Sequence, residues 1–402
     1  MGINFSNGLA PSSVLAAKNQ KGNDMTGSFL SSRRATRRDV LKTAAVFGGA
    51  ALAAPYLNRR AFADPIELTM LAWYGHAEPD VVSEFEAANN VKFKPKYYSG
   101  GDNMMGLISQ SPPGTYDLVL SDAEYVQGLH EAGYIEELDP KDYSFDDYFP
   151  EFQRFPGNWE GDKLFSVVTR FGFLGVSYNT DALTKKDVDT YNVYWSDKLK
   201  GKVGHYDWHL PNLGQISLLS GNAKPYDIDD AHWSAVQDKT MSLRKNIGGF
   251  FDYGGTFSSL KNGQMLAMAG IGDWITGVLQ KSGAKVASHI PQEGGLQWSE
   301  CFCIGKGTSK GDLAKKWIQY ITSAKGQVKS AEMAAYPALI PNKKGWDILN
   351  QVDPAEAKRQ GMTKEPGNAM DMIRSGRIRY RQWPVQQDLG AWNDFWTKYK
   401  SA

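Results

Sequence analysis

Only two of the 402 residues are cysteine, Cys301 and Cys303, and that scarcity excludes a disulfide framework and a cysteine-rich metal site. At i and i+2 on one strand the two make a strained bridge, so two buried thiols are expected. Beyond residue 63 the chain also lacks a dinucleotide fingerprint, a P-loop, a nucleophile elbow and an HExxH helix. An enzyme is therefore disfavoured, and no cofactor is expected. Past the apolar stretch at 43–57 there is no second long apolar run, so nothing there predicts a membrane span. Internal repeats and low-complexity linkers are absent too. A chain this long exceeds what one core usually serves, and two domains without a linker are expected to be joined by strands that cross between them.

What is present begins with Arg37 and Arg38 in the run Thr36-Arg37-Arg38-Asp39-Val40-Leu41-Lys42. This has the charged pattern of a twin-arginine export signal, and the apolar residues Thr43 to Leu57 that follow are too few to span a bilayer. Ala61-Phe62-Ala63 supplies small residues for a signal peptidase, and Arg59 and Arg60 disfavour the unfolded-export route. Residues 1–63 are thus expected to be a signal peptide, with the mature chain starting at Asp64 outside the cytoplasm. Its removal takes nine basic and two acidic side chains, leaving 36 basic against 42 acidic and a net charge of −6. A chain with no basic excess is a poor partner for nucleic acid.

Strand and helix patterns alternate through the first third. Ile66 to Ala72 reads as a strand, Pro79 to Asn89 as a helix with Val81, Val82 and Phe85 on one face, and Val91 to Tyr98 as a second strand. A helix is predicted near Asn103 to Ser109 and a buried strand at Asp117 to Leu120. A second such segment, from about Phe173 to Glu300, carries strands at Gly201 to Tyr206 and Leu266 to Ile271 and a helix after Pro211; helical patterns return at Asp312 to Ser323, at Gly326 to Ala335 and around Trp392 and Trp396. This is the punctuation of an α/β fold with a mostly parallel sheet, whose ligands bind where loops leave the carboxyl ends of strands.

Several short stretches share one order with a known family: Leu71-Ala72-Trp73-Tyr74, Tyr116-Asp117-Leu118-Val119-Leu120-Ser121, Gly175-Val176-Ser177-Tyr178-Asn179, Gly272-Asp273, the run from Glu293 to Glu300, and Tyr336-Pro337 with Pro341-Asn342. On these the chain resembles the extracellular solute-binding proteins of bacterial ABC importers, most of all the spermidine/putrescine-binding group. The resemblance implies a type II-like fold of two α/β lobes joined by crossing strands, with lobe 1 at 64–172 plus 302–342 and lobe 2 at 173–301 plus 343–402. It further implies a periplasmic monomer that captures a small organic amine in the cleft and delivers it to a membrane permease. Trp73 stands where the family stacks an aromatic on its ligand, with Tyr74 beside it, and a cation over such a face gains about 0.5 to 2 kcal/mol. Trp298 and Glu300, two apart on one strand face, match the family's paired aromatic and acid. Tyr336 matches a tyrosine that lines the cleft.

Other positions depart from the polyamine pattern. Asp122 and Glu124 stand where serine and tyrosine are usual, Asp207 supplies one carboxylate where two are usual, with Trp208 beside it, and Gly270 replaces a tryptophan ahead of Asp273. Arg170, in the crossing segment before Phe171, suits either a ligand carboxylate, which would make the ligand a zwitterion, or an ion pair with Glu300 or Asp207. A sugar is the alternative ligand, because aromatic platforms also stack on pyranose rings. His205, Asp207 and His209 would share one face if the strand continued; solvent-exposed or loop-capping roles are favoured over a metal site.

Overall fold

The computed structural model describes residues 64–402; the signal peptide expected at residues 1–63 lies outside them. Among the described residues thirteen strands run in chain order: β1 (Ile66–Ala72), β2 (Val91–Tyr97), β3 (Leu118–Asp122), a hairpin of β4 (Trp159–Glu160) and β5 (Lys163–Leu164), β6 (Val167–Leu174), β7 (Val176–Asn179), β8 (Val203–Tyr206), β9 (Ile247–Phe251), β10 (Ala267–Ala269), β11 (Val286–His289), β12 (Gly295–Ile304) and β13 (Ile378–Tyr380). They build two larger sheets. The first is ordered β13-β12-β3-β1-β2, with β6 on the other edge of β12; the second is ordered β11-β7-β10-β8-β9. The β1–β2, β1–β3 and β12–β13 pairs and the β8–β9 and β8–β10 pairs are parallel, while β12 runs antiparallel to β3 and β6. The mixed α/β architecture expected from the sequence is the one observed.

Local chemistry explains the elements that carry the site. The helix Pro79–Asn89 starts on proline, which has no amide hydrogen to lose there, buries Val81, Val82 and Phe85, and stops at Asn90 in the left-handed conformation. β3 is buried at all five positions and β12 at all ten, as strands covered on both faces must be. Within β12, Cys301 and Cys303 are buried and unbridged. The strand expected at 266–271 is trimmed to Ala267–Ala269, because the backbone turns left-handed at Gly270, φ 80°.

The strand carrying His205 ends at Tyr206, so the shared face predicted for His205, Asp207 and His209 is not continued. His205 is buried against the Asn212 side chain and the Tyr399 hydroxyl, Asp207 accepts from Trp396 and Lys400, and His209 opens the helix His209–Leu219.

The two sheets are linked where β6 runs through Gly175 into β7 and where β11 leads into β12. These links set Trp298 and Glu300 beside the connection between the sheets.

Candidate functional site

A cavity of about 350 Å³ opens at the carboxyl ends of strands from both sheets. Trp73 and Tyr74 follow β1, Tyr98 follows β2 and Asp122 ends β3; from the second sheet come Tyr206, Asp207 and Trp208 at β8, Phe251 to Tyr253 at β9 and Gly270 after β10. Trp298 and Glu300 enter from β12, with Tyr336 beside them. The rings form two groups of neighbours. Trp73 lies 4.7 Å from Tyr98 and 6.1 Å from Trp208 between ring centroids, Tyr74 lies 6.1 Å from Tyr253, and Trp274 lies 5.8 Å from Tyr336. Eight of the twelve residues expected at the site from the sequence line this cavity: Trp73, Tyr74, Asp122, Asp207, Trp208, Trp298, Glu300 and Tyr336.

The charged groups at and beneath its floor fall in a row across neighbouring strands. Arg170 on β6 is the register partner of Glu300 on β12, and Glu300 is the register partner of Asp122 on β3. Directly opposed residues present their side chains on one face, so two carboxylates stand side by side. Each is held by a guanidinium. Glu300 Oε2 accepts from His76 Nε2 at 2.9 Å and faces Arg170 Nε at 3.3 Å, and its Oε1 accepts from the Tyr336 hydroxyl at 2.8 Å. Burial opposes ionisation of Glu300, but the His76 and Arg170 contacts and the Tyr336 hydrogen bond hold its pKa below the usual carboxylate value. Burial pushes His76 down.

Asp122 is differently placed. Its Oδ1 accepts from Arg381 at 2.6 Å and its Oδ2 from the Trp73 indole at 3.0 Å, but Arg381 also donates to Glu124 at 2.5 Å. One guanidinium therefore serves two buried carboxylates. Burial, opposed by Arg381 and reinforced by Glu124 and Glu300, raises the Asp122 carboxyl to about 7. The Arg381 guanidinium also lies 4.3 Å from the Trp208 ring centroid, and that of Arg170 lies 4.3 Å from Tyr336, so two aromatic faces already carry an internal cation.

Four expected residues do not line this cavity, each for a visible reason. Arg170 is fully buried and turned to Glu300, the Tyr336 carbonyl and the Met333 sulfur. Phe171, its neighbour on the opposite strand face, packs on Phe152. Glu124 lies inside the first turn of the helix Ala123–Glu131, held by Arg381. Asp273 pairs with Arg359 at 2.6 Å and lines a smaller cavity on the far side of Trp274 and Trp298.

The departure at Gly270 has a steric cause. A Cβ there would lie 2.7 Å from the Asn212 amide and the backbone is left-handed, so no tryptophan fits; Trp274, four residues on in the helix Asp273–Lys281, lines the cavity instead. Tryptophan at 298 depends on another glycine, since a Cβ on Gly172 across the strand pair would lie 2.5 Å from the indole.

Arg381, Tyr98, Tyr206, Phe251, Asp252, Tyr253 and Trp274 line the cavity and were not picked out from the sequence. The β9 group could have been found by identifying Ile247–Phe251 as a strand, since its carboxyl end carries Asp252 and Tyr253. No local pattern marks Arg381, which reaches Asp122 across 259 positions.

Similarity to known proteins agrees with this geometry. Residues 80–346 match the family model described as bacterial extracellular solute-binding protein. The chain is 21% identical to the spermidine/putrescine-binding periplasmic protein of Escherichia coli K12, over 81% of this chain and 88% of that one. Among solved structures, the spermidine/putrescine ABC transporter substrate-binding protein of Streptococcus pneumoniae superimposes with a TM-score of 0.67 at 16% identity, covering 84% of this chain and 99% of that one. The binding protein MotA of A. tumefaciens B6, in complex with glucopine, gives a TM-score of 0.66 at 14% identity, covering 83% and 100%. With two sheets meeting at one aromatic cavity and a match spanning most of its length, the chain belongs to the bacterial extracellular solute-binding proteins.

Proposed function

We propose that this protein is the periplasmic substrate-binding component of an ABC importer, that it captures a small organic amine between two lobes without chemical turnover, and that it hands the amine to a membrane permease. The observation that carries the reading is the charge balance of the aromatic cavity. Asp122, Glu124, Asp207, Asp252 and Glu300 stand in or beside it, against Arg170, Arg381 and Lys400. With Asp122 ionised, two negative charges are left without an internal cation, in a pocket whose rings suit an ammonium group. The names of the polyamine-binding relatives support the same class. The proposed lobes are 64–172 plus 302–342 and 173–301 plus 343–402; their cuts fall inside β6 and β12. The protein is proposed to act as a monomer.

Isothermal titration calorimetry of the full-length chain against 1,4-diaminobutane, spermidine, 4-aminobutanoate and a maltooligosaccharide tests the reading. Saturable heat with at least one amine is expected. Heat from the oligosaccharide alone would replace the amine with a sugar.

Export is proposed to follow the twin-arginine route, with cleavage after Ala63. Replacing Arg37 and Arg38 together by Lys is expected to leave uncleaved precursor in the cytoplasm on immunoblots of cell fractions. Normal processing of that double variant, with a block when Arg33 and Arg34 are changed instead, would move the signal to the upstream pair.

A further inference from the structure

We infer that Asp122, rather than Glu300, receives the ammonium group of the solute, and that the Asp122 carboxyl releases a proton to solvent as the cation arrives. The inference rests on the amine reading above and specifies which acid does the work.

Glu300 is already satisfied. His76 and the Tyr336 hydroxyl each donate to one of its oxygens, and Arg170, with Nε 3.3 Å from Oε2, matches its charge one to one in full burial. A second cation there would have to displace the tyrosine or compete with the arginine. Around Arg381 the count is different, because a single guanidinium faces both Asp122 and Glu124, each of whose side chains is almost wholly inaccessible. Glu124 Oε2 is buried with no hydrogen-bond partner, which marks the cluster as short of donors. Each Asp122 oxygen accepts one hydrogen bond and keeps a free lone pair. Asp122 is also the member of the pair that lines the cavity, next to the Trp73 ring.

Without a solute, two buried carboxylates on one cation leave an uncompensated charge, which a proton on Asp122 removes. An ammonium group removes it equally well, so the two positive species compete for one place. The titratable and charged groups around Asp122 are Arg381 from the segment after β13, Glu124 from the helix that follows β3, Glu300 and Cys301 from β12, and the tyrosines at 98, 125, 206 and 380; burial also raises the Cys301 thiol, which stays neutral. Burial raises all four tyrosines, so they stay neutral in the range that matters.

Calorimetry with 1,4-diaminobutane as probe decides the matter. With the carboxyl at about 7, affinity at pH 5.5 is expected to be about 30-fold lower than at pH 8, since the amine keeps its charge over that range. At pH 7, titrations in phosphate and in Tris should differ in heat by the buffer's uptake of about half a proton per amine bound. Asp122→Asn leaves Glu124 and Arg381 as a balanced pair. It is expected to melt cooperatively, to bind the probe at least about 30-fold more weakly at pH 8, and to show no residual dependence on pH or buffer. Wild-type affinity in that variant, or a pH dependence that survives it, overturns the assignment of the ammonium to Asp122. Identical heats from the wild type in the two buffers overturn the proton release, and this measurement needs no variant to fold. If the wild type binds none of the three amines, the amine reading falls and this inference with it.

Discussion

Arg170→Met lowers the unfolding free energy of the empty protein by about 3 to 5 kcal/mol in urea denaturation at pH 8, the size of the loss when a buried ion pair is broken from one side. The methionine fills most of the volume, so packing contributes little to the loss. What is lost is the cation 3.3 Å from Glu300 and the donor to the Tyr336 carbonyl, both in a region with no access to water. The charge left behind is the cause, and removing it should restore stability: Arg170→Met combined with Glu300→Gln is expected to recover at least half of the deficit. Equal deficits in the single and double variants would show that Arg170 acts through the Tyr336 and Met333 contacts instead. Amine affinity is a separate readout, because Arg170 does not line the cavity.

Arg381→Met has the second large effect, and its size depends on pH. Without the guanidinium, Asp122 and Glu124 are two buried carboxylates with no cation between them. Burial already raises both, and Arg381 is the main influence holding them down. In the variant their folded-state pKa values climb further, while those of the unfolded chain stay near 4. A carboxyl whose pKa is raised by folding costs stability as pH rises from the unfolded value to the folded one. The deficit relative to wild type is therefore expected to be on the order of 3 to 5 kcal/mol at pH 8 and small at pH 5, where both acids are protonated in the folded variant. Urea midpoints at the two pH values check this. A deficit independent of pH would mean that the Trp208 stacking and the packing of the side chain matter more than its charge.

Element positions in the first sheet were legible because their patterns are local. The helix at 79–89 carries proline at its start and a buried face that repeats at helical spacing, and both expected ends are the observed ones. The row from Arg170 through Glu300 to Asp122 was not legible, because it depends on which strands neighbour β12. Sequence reasoning allowed Arg170 a pairing with Glu300, but it had no means of supplying Arg381. That residue reaches the site only because β13 pairs in parallel with the first residues of β12. Asp122 and Glu124 therefore looked like two free acids, whereas the fold gives them a shared cation. The aromatic wall divides in the same way. Trp73, Trp208, Trp298 and Tyr336 came with the family resemblance or sit in segments aligned to it, while Trp274 lies four residues past Gly270, where a left-handed turn against Asn212 leaves no room for a ring.

The buried thiols have a practical side. Cys301 and Cys303 have no exposed surface, and burial raises both thiols well above the range in which the reactive thiolate forms. Maleimide dyes should pass over them in the folded protein, so a reporter cysteine can be added without first removing the native pair. Ser99 is exposed, lines the cavity and differs from cysteine by one atom. Ser99→Cys bearing an environment-sensitive fluorophore would turn the protein into a single-label optical sensor for its own solute, read in a cuvette without the transporter.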